Sequence, residues 1–402
     1  MSMTLSSYRR RATLTGLASC ALLAGCDFAV TNPGPLLDEQ LNTPSAIPAL
    51  VNGMGGDLSN AIGNFLTRGS LAGRELVHSG NFAAERQFFI GQVRAEDVNG
   101  DWARMQTARW VAENGLVRMR TVLGTAFETN VNTPRAYIYA GYANRFLGEN
   151  VCETTIDGGP RQPNTEHFVR ADSLFTRAIT IATALNNTTL LNAARAGRAQ
   201  VRADQGRWAD AAADAALIPA TFRHNAVFSA NTTRENLGLA FETINRREVT
   251  VFNTVWATDR DVRVPWDTVR TGTTLTRGQD GTTIFFRQRK YLTIGDPMPL
   301  AKGAEMLLIR AEAALRSNDV TNAMLFINQA RATSTLPALT ATTVNDVWPI
   351  LIRERGAVLW LEGRRWFDLK RWQAEGRTTL LTGRSGCMPI SQEEIGSNPN
   401  LQ

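Results

Sequence analysis

The stretch RERGAVLWLEGRRWFDLKRW, residues 353–372, holds three of the chain's nine tryptophans and nine charged residues. Glu362, Arg365, Asp368 and Arg371 follow one another at steps of three with alternating sign, the spacing at which neighbours on a helix can pair. Trp366, Leu369 and Trp372 form an apolar stripe on the same reading. Rings and alternating charges at helical spacing predict a buried, salt-bridged structural helix rather than a ligand site.

Upstream, the same helical spacing recurs. Trp102, Met105, Ala108, Ala112, Leu116, Met119 and Leu123 step by three or four from Asp101 onward. Pro134 opens a further helix where its missing N–H costs nothing, and Gly148 is expected to end it. More helices are expected at about 166–185, 190–205 and 208–217, and an early one at about 46–66 behind Thr43-Pro44-Ser45. A small-residue pattern repeats through these blocks: Ala199, Gly206 and Ala211 share their offsets with Ala311, Asn318 and Ala323, and Gly141 with Gly148 repeats the first interval. A small side chain lets two antiparallel helices approach, and Gly or Asn at the turn takes positive φ. The offsets match tetratricopeptide-like helix pairs, with an unrelated Ala-rich bundle as the alternative. The fold class is therefore mostly α, with a helical scaffold at about 101–220 and 299–375.

Two segments break the pattern. Residues 67–100 are mixed and Gly-rich, and residues 220–298 are rich in Thr, Val, Arg and Gly. The second reads as loops and short strands inserted between helical blocks. Insertions on a rigid scaffold often carry binding function.

The first 25 residues are of another kind. Arg9, Arg10 and Arg11 precede an apolar run over 12–25, closed by Leu23-Ala24-Gly25-Cys26. This is an export signal, residues 1–25, with Cys26 as the lipidated first residue of the mature chain. An ordinary signal with a chance cysteine is the alternative. The run is shorter than the ~20 residues a membrane span needs, so membrane attachment is expected through the lipid alone. Residues 26–45 carry three prolines and read as an extended tether. Loss of the three leader arginines lowers the net charge from +6 to +3, and the remaining arginines are scattered, which argues against nucleic-acid binding. Of four cysteines, Cys152 and Cys387 remain once Cys20 and Cys26 are set aside. In an oxidising compartment they form either a disulfide or two unpaired thiols.

Enzyme signatures are sparse. His78, His167 and His224 lack a metal-ligand partner at helical spacing, so no metal site and no cofactor is expected. There is no phosphate loop and no nucleophile elbow. Asp97-x-Asn99-x-Asp101 begins like a calcium loop but has Trp102 where the loop needs Gly. A turn with Asp101 capping the next helix is the better reading.

The 353–372 stretch resembles the C-terminal hallmark helix of the SusD/RagB family of outer-membrane nutrient-binding lipoproteins. It is followed by Pro389-Ile390, Glu394-Ile395 and Asn398-Pro399-Asn400-Leu401, which are similar to the family's end. Residues 299–313, with Glu305, Arg310 and Glu312, look like its helix before the last repeat pair. Gly356-Ala357-Val358 departs from the more polar run usual there, and the chain is shorter than many members. The resemblance implies a SusD-like domain over 46–402, with 67–100 and 220–298 as variable ligand-face segments. It implies a cell-surface, lipid-anchored protein without catalysis. Its partners would be a glycan or other nutrient and a SusC-like TonB-dependent transporter. A structural adaptor without a small-molecule ligand, or a glycan hydrolase, are the alternatives. Sugar recognition needs flat aromatic faces and planar polar groups. On that ground the candidate ligand residues are Arg74, His78, Asn81, Phe82, Trp256, Arg263, Trp266 and Asp267.

Overall fold

A computed structural model describes residues 38–402. The leader, Cys26 and the first part of the expected tether lie outside the described residues. Residues 38–41 form a short 3-10 turn. The body, 43–402, is one compact unit built mainly of helices.

The principal helices are α1 (Ile47–Ala72), α2 (Ala83–Ile90), α3 (Asn99–Leu123), α4 (Thr133–Asn150), α5 (Thr165–Ala184), α6 (Thr188–Asp204), α7 (Trp208–Ala216), α8 (Gly303–Arg316), α9 (Val320–Ala332), α10 (Val344–Val358) and α11 (Arg365–Ala374). Successive helices pack on one another from α3 through α7, α7 packs on α8, and α8 pairs with α9. This is the order a tetratricopeptide-like array requires. Its small residues act as expected. Gly206 and Asn318 sit in the interhelix turns at φ 76° and 61°. Ala199, Ala211, Ala311 and Ala323 are fully buried. Phe175 of α5 lies between Gly141 of α4 and Gly197 of α6. A Cβ on either glycine would come within 2.8 and 2.4 Å of that ring.

Several expected boundaries move. Helix α1 runs on to Ala72, six residues past Leu66. Helix α4 continues through Gly148 to Asn150, because Gly148 receives the Phe168 ring from α5 and is no turn residue. Asp101 does not cap: α3 starts at Asn99, and Asp101 is buried within its first turn against Arg68 at 2.5 Å. Cys152 and Cys387 form a disulfide, beside reciprocal backbone bonds between Cys152 and Met388 and between Met388 and Asn150, each of 2.8 Å.

The decisive stretch is two helices rather than one. After Val358 the chain turns, with Leu361 at φ 55° and Gly363 at φ 71°, and resumes helix at Arg365. The turn is held from outside: the Leu361 N–H donates to Glu75 at 2.9 Å, and the Tyr291 hydroxyl donates to the Leu361 carbonyl at 2.9 Å. Glu362 therefore does not pair with Arg365. It accepts from Lys290 and Lys302, each at 2.5 Å, while Arg365 donates to the Gly73 carbonyl at 3.1 Å. Asp368 does pair with Arg371, at 2.9 Å, and also with Arg355 at 2.7 Å. Arg371 reaches Glu312 of α8, and Trp366 and Trp372 are buried. Gly356 is needed here, since a Cβ would lie 2.1 Å from the Arg365 guanidinium.

Burial pushes the carboxyls of Asp368, Glu312 and Glu362 upward, yet their cationic partners hold all three below the usual range. Multiple bonding keeps these groups charged where desolvation of an isolated ion costs several kcal/mol.

Candidate functional site

The two variable segments meet in one narrow strip. Strand Val77–His78 pairs antiparallel with Val249–Thr250, placing His78 opposite Val249. The Val251 N–H donates to the Phe286 carbonyl at 3.0 Å. Strand Phe286–Gln288 pairs in turn with Trp266–Thr268. The strip thus carries His78, Asn81 and Phe82 at one end and Trp266 and Asp267 at the other.

At the second end, Trp266 stacks on Phe286 with centroids 4.8 Å apart and planes 6° from parallel. The Arg260 guanidinium lies 3.9 Å from the indole centroid. Two groups at those distances cannot share a face, so Arg260 covers the side that Phe286 leaves open. The indole N–H donates to the Trp256 carbonyl at 3.0 Å, which fixes the ring plane. Asp267 pairs with Arg287 at 2.7 Å and approaches Arg289 at 3.6 Å. A stacked ring bordered by a carboxylate and guanidinium groups can receive the C–H face of a sugar and bond its hydroxyls, once the exposed Arg260 swings aside.

At the first end, Phe82 is 39% exposed with the Arg246 guanidinium 4.6 Å from its centroid. Glu248, fully buried, accepts from the Asn81 N–H at 2.9 Å and from Arg246 at 2.9 Å. Gly80 is required by this contact, because a Cβ would fall 1.7 Å from the Glu248 carboxylate. The Ser79 N–H donates to the Glu248 carbonyl and its hydroxyl to the Arg247 carbonyl, locking the loop onto the strip.

Three of the candidates lie elsewhere. Trp256 is 2% exposed, with the Arg365 guanidinium 5.2 Å from its ring, and belongs to the core. Arg263 is held by Asp261 at 2.7 Å and Glu354 at 2.6 Å, with a side chain 6% exposed. Burial opposes its charge, but these carboxylates raise its pKa further. The Trp256 side chain is thus closed off in the core, and the Arg263 guanidinium is held by two carboxylates at the wall of another cavity. Arg74, at φ 62°, lines a separate cavity of about 270 Å³ with Phe89, Thr254, Val255 and Arg365.

Phe286, Arg287 and Glu248 were not anticipated. The alternation of buried Phe285 with half-buried Phe286 was the available signal for the first. No local pattern marked Glu248.

A larger cavity of about 490 Å³ lies between the insertion and α10, lined by Arg223, Arg263, Lys290, Lys302 and Glu362. Burial holds the Lys290 ammonium down to about 8 despite Glu362. Its positive charge is already engaged: Lys290 and Lys302 both bond Glu362, and each also bonds a backbone carbonyl, of Trp360 and Val358. The strip, whose ring is covered on its outer face only by the exposed Arg260 and whose Asp267–Arg287 pair is half-exposed, is the better candidate.

A helix-pair scaffold carrying an irregular strip of rings and charges defines the class: an α-helical repeat protein with an inserted, non-helical face. Residues 245–387 match the SusD family model. A stretch of 116 residues is 36% identical to the SusD-like protein P38 of Formosa agariphila, covering 26% of this chain and 23% of that protein. The chain thus aligns with less than a quarter of that relative. The resemblance read from the sequence is met by the family model over residues 245–387. Solved structures share the fold at low identity. A SusD superfamily protein from Bacteroides thetaiotaomicron has a TM-score of 0.67 at 15% identity, covering 90% of this chain and 98% of that one. A SusD-like carbohydrate binding protein from Bacteroides vulgatus has 0.64 at 15%, covering 82% and 84%.

Proposed function

We propose that this protein is a non-catalytic, lipid-anchored carbohydrate-binding protein of the outer-membrane surface that passes its ligand to a SusC-type TonB-dependent transporter. The observation that carries the binding reading is the Trp266–Phe286 stack bordered by Arg260, Asp267 and Arg287. The SusD family match and the fold shared with a SusD-like carbohydrate binding protein support it. Anchoring would use the lipid on Cys26. Among the described residues no helix is long and apolar enough to cross a membrane.

The test has two arms. Titration calorimetry against a panel of oligosaccharides is expected to find a ligand, and Trp266→Ala to weaken it about tenfold or more through loss of the stacking face. Pull-down from solubilised outer membranes is expected to bring a plugged β-barrel in equal amount. A barrel without a glycan would favour the adaptor role. Glycan binding untouched by Trp266→Ala would move the site off the strip.

A further inference from the structure

The first end of the strip holds a second feature that sugar binding does not use. His78, Glu85 and Glu248 come from three separate places: the Val77–His78 strand, the first turn of α2, and the residue ahead of the Val249–Thr250 strand. Each turns a ligand atom into one space, and the three atoms lie within 4.8 Å of one another. Glu85 is 2% exposed and its Oε2 has no hydrogen-bond partner. The His78 Nε2 is also buried without a partner.

The charges around this space do not balance. Arg246 pairs with Glu248 at 2.8 Å, and Arg68 pairs with Asp101 at 2.5 Å. That leaves Glu85 and the neighbouring Glu242, whose Oε2 is likewise buried and unpartnered, with no ion-pair partner of their own among the described residues. Burial first, and then Glu242, push the Glu85 carboxyl up to about 9. Burial also lowers the His78 imidazole, which keeps the ring neutral with a lone pair to offer. Buried polar atoms left unsatisfied forfeit the hydrogen bonds they had in water, so a group of them in one space asks for an occupant. A single cation would partner the free atoms of His78 and Glu85 and offset the neighbouring Glu242 carboxylate.

We propose that His78, Glu85 and Glu248 bind a divalent transition-metal ion, with the imidazole Nε2 and one oxygen of each carboxylate as ligands. One nitrogen and two oxygens suit zinc and its neighbours, while calcium and magnesium prefer all-oxygen sets. Ligands about 2.1 Å from such an ion stand ~3.4 Å apart in a tetrahedron, so binding draws the three side chains inward by about an ångström. The Arg246–Glu248 pair and the Asn81 N–H on Glu248 would orient that carboxylate from behind, as outer partners do at metal sites. The ion would pin the loop bearing Asn81 and Phe82 to α2 and to the strip. Its role is structural, and it stands independently of the glycan reading.

The experiment uses the purified full chain in detergent, without an affinity tag and stripped with EDTA, titrated with zinc chloride at neutral pH. One equivalent of zinc is expected to bind and to raise the melting temperature. Glu85→Gln and His78→Gln are each expected to weaken binding about tenfold or more. Glu85→Gln keeps the side-chain shape and the neutral state that burial favours, so it is expected to fold; circular dichroism in EDTA checks this. Cobalt substitution gives a second readout, since its visible bands shift when a nitrogen ligand is lost. Absence of both heat and melting shift overturns the site. So does zinc bound by both variants as tightly as by the wild type, or calcium taken up in place of zinc.

Discussion

The turn at 359–364 with its flanking helices, and the strip formed by residues 248–288, are both dense in arginine, carboxylates and aromatic rings. They hold them in opposite ways. Around the turn each charge is buried and multiply bonded: Glu354 accepts from Arg263, Arg331 and Arg353 while fully buried. Around Trp266 the Asp267–Arg287 pair is half-exposed, and an exposed guanidinium caps the principal ring. Charge density alone therefore says little about function. What separates structure from recognition is whether each charge already has a full set of partners inside the fold.

The strongest way to break this contrast is to remove one charge from each region. Glu354→Ala leaves three guanidinium groups short of a buried carboxylate and is expected to cost about 3–5 kcal/mol. Asp267→Ala removes a partly exposed pair and is expected to cost about 0–1 kcal/mol. Urea unfolding at neutral pH measures both. Equal losses would show that the two networks do the same work and would remove the basis for placing recognition on the strip.

A smaller effect is expected from the Cys152–Cys387 disulfide, which closes a loop of 235 residues of sequence separation. Replacing both with serine is expected to lower stability by about 2–4 kcal/mol, chiefly by releasing the unfolded chain. Because the bridge lies outside the strip, ligand and zinc affinities are expected to stay unchanged. A loss of either affinity would tie the strip to the C-terminal segment.

The scaffold was legible because its signals are local. Gly206 and Asn318 announce turns by the backbone angles they permit, and Gly141 admits Phe175 simply by lacking a Cβ. The break after Val358 was not legible, because Leu361 is a good helix former. Its positive φ is imposed by Glu75 and Tyr291, which are 286 and 70 residues away in sequence. The same limit applies to the tryptophans. Trp256 and Trp266 stand ten residues apart in the same irregular segment, where no periodicity sorts inside from outside. Arg365 and Gly356 take the first ring into the core, while Phe286 and Arg260 hold the second at the surface. His78, Glu85 and Glu248 are likewise joined only by the pairing of strands far apart in sequence.

The smallest effect separates two histidines by what their nitrogens meet. His167 is fully buried in the scaffold, its Nε2 2.8 Å from the Thr154 hydroxyl and its Nδ1 2.9 Å from Asn144 Oδ1. Burial, reinforced by Arg109 and Arg170, lowers its pKa to about 3. The folded protein therefore keeps the ring neutral while the unfolded chain takes up a proton near pH 6.5. Below that pH the unfolded state binds more protons, so stability falls as the pH falls from 6.5 toward 3. At pH 5 this amounts to about 2 kcal/mol. Glu75 and Glu242, raised to about 7 chiefly by burial, act in the other direction over part of the same range. Comparing wild type with His167→Gln isolates the histidine: the variant is expected to lose less stability between pH 7 and pH 5, by about 2 kcal/mol. An identical pH profile would mean that His167 takes up its proton in the fold as readily as in the unfolded chain. The contrast with His78, whose Nε2 has no such partner among the described residues, would then no longer mark the strip's histidine as the one of this pair free to hold a metal.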